Sequence, residues 1–141
     1  MVANQTSSTV AQIPQFEDSQ TWQSARQLFI KICSFTSTGE FAKDFRFRSQ
    51  IEAASGSIMD NIAEGFERGG NRELIQFLIY SKGSAGEVRS QIHRAADRNH
   101  ISQEAKTELI NDVLAISRML QKWINYLKAS NKKGPNRRPQ P

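Results

Sequence analysis

The sequence predicts an all-α protein, an up-down-up-down antiparallel four-helix bundle with disordered N- and C-terminal tails. Three observations carry that expectation. Apolar residues recur at helical spacing from Trp22 to Leu127, and nowhere do they alternate as in a strand. Turn clusters interrupt this period at Ser37-Thr38-Gly39-Glu40, at Arg68-Gly69-Gly70-Asn71 and at Asn99-His100. When the helices flanking the last two turns are folded back on each other, their apolar positions come level over many turns, which is how an antiparallel seam reads in a sequence.

Residues 1–15 are polar and uncharged without a sustained period, so they are expected to stay disordered. Ser19 or Asp18 caps a first helix, with Trp22, Ala25, Phe29 and Ile32 at 3,4 spacing and an end near Thr36. Asp44 caps a second, which carries Phe47, Ile51, Ala54, Ile58, Ile62 and Phe66 and runs to about Glu67. Gly70 or Asn71 starts a third helix, with Glu73 well placed against the helix dipole. Its apolar residues are Leu74, Phe77, Leu78, Ala85, Val88 and Ile92, and it reaches about Arg98. Ser102 caps a fourth, reading Leu109, Val113, Ile116, Leu120, Trp123 and Leu127. The bundle domain therefore covers residues 16–130, and residues 131–141 form a basic disordered tail.

The levels can be stated pair by pair. Between the second and third helices Phe47 meets Ile92, Ile51 Val88, Ala54 Ala85, Ile58 Ser81, Ile62 Phe77 and Gly65 Leu74. Between the third and fourth, Ile92 meets Leu109, Val88 Val113, Ala85 Ile116, Ser81 Leu120, Leu78 Trp123 and Leu74 Leu127. A patch of small residues, Ala53 to Ser57, lies opposite Ser81 to Gly86. Glycine costs about 1 kcal/mol against alanine inside a helix, so the expectation is close approach of two backbones there. One surplus remains. Leu74, Ile75, Phe77, Leu78, Ile79 and Tyr80 make the third helix apolar almost all round, more than one seam buries. A homo-oligomer contacting through Ile75, Ile79 and Tyr80 is the expected consequence.

Composition excludes several classes. At 141 residues the chain is one domain. No apolar run of 18 residues is present to span a membrane, and the start lacks the basic and apolar regions of an export signal. The expected location is a bacterial cytoplasm. Cys33 is alone, which rules out an intramolecular disulfide and a Cys-rich metal site. The net charge of +5 is concentrated: Lys132, Lys133, Arg137 and Arg138 lie in the tail with no acid, and the body is near neutral. Such a tail either contacts nucleic acid or merely solubilises.

Catalytic chemistry is sparse, and the expectation is a protein that is not an enzyme and has no cofactor. A di-iron bundle needs Glu-x-x-His motifs on two helices, whereas only Asp97-Arg98-Asn99-His100 comes near, at a helix end. Asn61 and Glu64 share a helix face, and a catalytic pair there would need a nucleophile or second acid, for which Asp60 and Glu67 are the only candidates. They read as structural, Asn61 bonding across helices and Glu64 pairing with Arg68. The Gly69-Gly70 turn offers backbone N–H groups to a phosphate, but it reads mainly as a tight turn. Lys82, Arg89, Arg94 and Arg98, with His93, set positive groups along the third helix. They form either a phosphate-contacting stripe or a solvated face.

The run SIMDNIAEGFERGGNRELIQFLIYSKGSAGEVRSQI, Ser57 to Ile92, with RSQIEAA upstream, closely resembles the four-helix-bundle proteins encoded in intervening sequences of bacterial 23S rRNA genes. That family includes the accessory variability protein of diversity-generating retroelements. The likeness covers about Phe16 to Lys128. It implies a homopentameric barrel with basic surfaces and no enzymatic activity. Retroelement members are understood to bind nucleic acid and the element's reverse transcriptase. Asn61, Glu64, Gly65 and Arg68 match one motif and Gly83, Ser84 and Glu87 a second, both read as fold-determining. The expected RNA or DNA contacts are Lys82, Arg89, Arg94, Arg98, Lys132, Lys133, Arg137 and Arg138. The alternative is an oligomeric scaffold that holds a protein partner on its apolar surface.

Overall fold

The structure, a computed structural model, describes residues 13–133. Among them are five α-helices and no strand: α1 Gln20–Thr36, α2 Gly39–Lys43, α3 Phe45–Glu67, α4 Asn71–Asp97 and α5 Gln103–Lys133. A short 3-10 turn, Phe16–Asp18, leads into α1. They pack as a helical bundle around one apolar core.

The helix boundaries follow from local chemistry. Ser19 caps α1 by accepting from the Trp22 amide at 3.3 Å, and Ser102 caps α5 by accepting from that of Ala105 at 3.0 Å. α4 ends in a Schellman motif. Asn99 takes the left-handed conformation at φ 61°, its N–H reaches Ala96 O, and the His100 N–H reaches Ala95 O, both at 2.9 Å. Gly69, at φ 96°, reverses the chain between α3 and α4. The five-residue α2 stands where the sequence reads as a turn cluster. Gly39 starts it at φ 61°, and Phe41 tethers it by dropping fully into the core.

The seam between α3 and α4 keeps the register expected for it. Ser81 Oγ donates to Ile58 O at 2.7 Å, and an added Cβ on Gly65 would lie 2.6 Å from Phe77 Cβ and 3.3 Å from Leu74 Cδ1. Between α4 and α5, Leu78, Val88 and Ile92 are fully buried, as are Val113, Leu120 and Trp123. Two positions of α1 are exchanged: Leu28 is in the core, while Phe29 and Trp22 sit half-buried at the edge, Trp22 edge-on to Phe16 at 5.3 Å. Ile13 is buried with the core, ahead of the expected domain start. Three residues of the expected tail, 131–133, continue α5, whereas residues 1–12 and 134–141 lie outside the described residues.

The small-residue patch does not do what the sequence suggests. Gly83 and Gly86 face open space, and a Cβ on Gly56 would meet Phe29 of α1 at an ordinary 3.6 Å. Close approach of α3 and α4 sits instead at Gly65, near the turn. Gly65→Ala is therefore expected to destabilise the fold by about 1–3 kcal/mol, because its neighbour is a backbone-attached carbon that cannot swing away. Gly83→Ala is expected to stabilise it by about 0.5–1 kcal/mol through helix propensity. Urea denaturation of the two variants checks both signs.

Candidate nucleic-acid interface

At about 100° per residue, α4 presents the expected basic residues on two different flanks rather than in one stripe. Arg94 and Arg98 lie on the flank that faces α3. Arg94 donates to Gln50 Oε1 at 3.2 Å and lies 4.4 Å over the Phe47 ring; Arg98 pairs with Asp44 at 2.5 Å and lies 5.7 Å from the same ring. Both guanidinium groups help to shield Phe47, which is buried, so much of their bonding capacity is spent inside the fold. Lys82 and Arg89, two turns apart, lie on the other flank, toward α5, and have no partner among the described residues. Lys132 and Lys133 fall in the last turn of α5, and Arg137 and Arg138 lie outside the described residues.

The expected contact residues Ile79 and Tyr80 are 43% and 50% exposed, Tyr80 leaning edge-on against Phe77 at 5.4 Å. Ile75 is half-buried and packs against the core. Of the first motif, Glu64 pairs with Arg68 at 3.2 Å, and Arg68 also covers the Phe77 ring at 4.9 Å. Asn61 differs from expectation: its amide donates to Ser57 O at 2.8 Å, one turn back along its own helix, and not across to a neighbour. Of the second motif, Glu87 accepts from Gln91 at 3.3 Å, Ser84 is half-buried, and a Cβ on Gly83 would meet nothing within 4 Å. No contact among the described residues explains Gly83.

Two polar clusters escape a reading of the sequence. At one end of the bundle Asp44, between α2 and α3, accepts from Arg98 and lies 2.9 Å from His100 Nε2, and the His100 ring stacks on Phe41 at 4.7 Å. The His100 hydrogen bond, followed by that of Arg98, holds the Asp44 carboxyl below the usual carboxylate range. Between α1 and α5, Lys31 reaches Glu108 at 2.6 Å and Asp112 at 2.7 Å, which raises its pKa, Asp112 first. Beside that clasp runs a groove of about 230 Å³ lined by Ser24, Gln27, Leu28, Ala115, Ile116 and Met119. Both clusters join residues more than fifty positions apart, a distance that helical periodicity does not bridge.

No group of three or more His, Cys, Asp or Glu side chains suited to a metal ion occurs among the described residues. Burial, the largest cause, pushes the Cys33 thiol up, away from the reactive thiolate. No described helix is long and apolar enough to cross a membrane.

Residues 17–122 match the family described as 23S rRNA-intervening sequence protein. The chain belongs to this family. A crystal structure of a protein of unknown function from the S23 ribosomal protein family of Bacteroides thetaiotaomicron superposes with a TM-score of 0.69 at 20% identity, covering 74% of this chain and 95% of that one. At that identity the likeness speaks for the fold alone. No protein with a curated description matches the chain. Within the family's span lie both motifs, the α4 flanks and the Asp44 cluster.

A pH test follows from Asp44. Its folded-state pKa is depressed, so the stabilisation is present above the ordinary carboxylate value and is lost as pH falls through the lower, folded value. Asp44→Asn is expected to lower Tm at neutral pH, with the gap to the parent closing in acid. Thermal melts across that range check it.

Proposed function

We propose that this member of the 23S rRNA-intervening sequence family is a non-enzymatic, oligomeric nucleic-acid-binding accessory protein of the bacterial cytoplasm. It is read as a four-helix bundle of up-down-up-down topology, with α2 as an added turn of the α1–α3 connection. The observation that carries the reading is Lys82 and Arg89, on one flank of α4 and without a side-chain partner among the described residues. The family assignment points the same way through the rRNA genes in its description. By resemblance to the retroelement accessory proteins, the assembly is a homopentamer, and a reverse transcriptase is its protein partner.

Exposed Ile79 and Tyr80, at the level where α4 is apolar nearly all round, support the assembly. The same two residues favour a second reading, an oligomeric scaffold that holds a protein partner without nucleic acid. Two experiments separate these. Fluorescence anisotropy with RNA and DNA at two salt concentrations is expected to show binding that weakens steeply as salt rises. Binding by neither full chain nor a truncation after Ser130 would leave the scaffold. Tyr80→Glu and Ile79→Asp are expected to shift the sedimentation coefficient toward the monomer. An unchanged coefficient places the subunit contact elsewhere.

A further inference from the structure

The seam between α4 and α5 carries a line of cations that no single helix reveals. On α5 the acids Glu108 and Asp112 face α1, where both hold Lys31. Lys106 and Lys128 lie roughly 120–160° round the helix from Asp112, on the flank next to α4. On α4, Arg94 and Arg98 face α3, which puts Lys82 and Arg89 on the flank next to α5. Lys82 and Lys106 are half-buried, as seam residues are, and Arg89 and Lys128 are exposed. Among the described residues, none of the four side chains has an ion-pair or hydrogen-bond partner.

The acids are elsewhere. Glu73 and Glu87 of α4 turn toward α3, Glu104 of α5 turns away from the seam, and Asp97 stands only at the far end. What lies between the cations on α5 is Ser117 and Gln121 with half-buried Ile110 and Leu114. A near-neutral body has thus sorted its charge, leaving one seam basic.

We infer that Lys82, Arg89, Lys106 and Lys128 form a phosphate-contacting strip along the α4–α5 seam that docks double-helical nucleic acid by its backbone. From Lys106 to Lys128 the strip spans about 33 Å, close to one turn of a duplex. It holds no exposed aromatic ring for a base to stack on, because Trp123 is buried and Tyr80 lies on the other flank of α4. Stacking platforms are what single-strand binders use. The strip rests on the nucleic-acid reading above and gives it a place and a form of ligand.

The test replaces all four cations with glutamine in the full chain. A control variant replaces four other unpaired cations, Arg46, Arg72, Arg118 and Lys122. Glutamine keeps the helix propensity of lysine and arginine, and circular dichroism verifies both folds. The probe is a 20-base-pair duplex and a single strand of the same length, titrated over a range of salt. The strip variant is expected to lose about tenfold or more in duplex affinity and close to four from the salt slope, about 0.9 for each cation removed, with the control near the parent. Swapping each lysine for arginine, and Arg89 for lysine, is expected to retain binding. Duplex binding undiminished in the strip variant, equal loss in the control, or a parent that prefers the single strand overturns the strip alone. A parent that binds neither probe overturns the underlying reading with it.

Discussion

The contact on which the rest of the bundle depends is the one between α3 and α4 at Gly65. With Phe77 Cβ only 2.6 Å from where a Cβ of residue 65 would stand, the two helices touch there almost backbone to side chain. One to two turns along the pair, Ser81 fixes the same register by donating to the Ile58 carbonyl in a fully buried setting. A buried hydroxyl without that acceptor costs about 1–3 kcal/mol, so sliding α4 by a turn is penalised at both points together. Once α3 and α4 are locked, α4 offers α5 the apolar face that carries Leu78, Val88 and Ile92, and α1 closes over what remains.

How much of this the sequence disclosed depends on the range of the interaction. Helix extents and the α3–α4 and α4–α5 levels were legible because period and turn chemistry are local. Ser19, Ser102 and Asn99 announce helix ends by residue type alone. The α2 helix was not legible, because one turn of five residues is too short to show a period and only Phe41 in the core holds it. Glycine misled for a related reason. Its abundance in Ala53 to Ser57 and Ser81 to Gly86 reads as close approach, yet which face each glycine occupies depends on the bundle: Gly56 has only ordinary contact with Phe29 of α1, and the tight approach falls at Gly65.

The same limit governs the candidate site. A list of basic residues on one helix does not say which are already engaged. Arg94 and Arg98 turn out to be committed to Gln50 and Phe47 on α3 and to Asp44 just before it, while Lys82 and Arg89, on the opposite flank, have no side-chain partner among the described residues. Distinguishing them requires knowing which side of α4 faces which neighbour. Asp44 adds a second commitment: instead of capping α3 it turns to Arg98 and His100, tying the α2–α3 junction to the α4–α5 turn.

The groove beside Lys31 gives the four long helices unequal standing. Parting α1 from α5 breaks a half-exposed ion clasp and widens a groove already large enough for water. Parting α3 from α4 uncovers a seam whose central residues are wholly dry. Exposed ion pairs contribute little, about 0–1 kcal/mol each, and newly wetted apolar surface is the larger cost. α1 still seats Ala25, Leu28 and Ile32 in the core, but its open edge toward α5 makes it the most detachable of the long helices. In native-state hydrogen exchange α1 would form the separate, lower-energy opening unit.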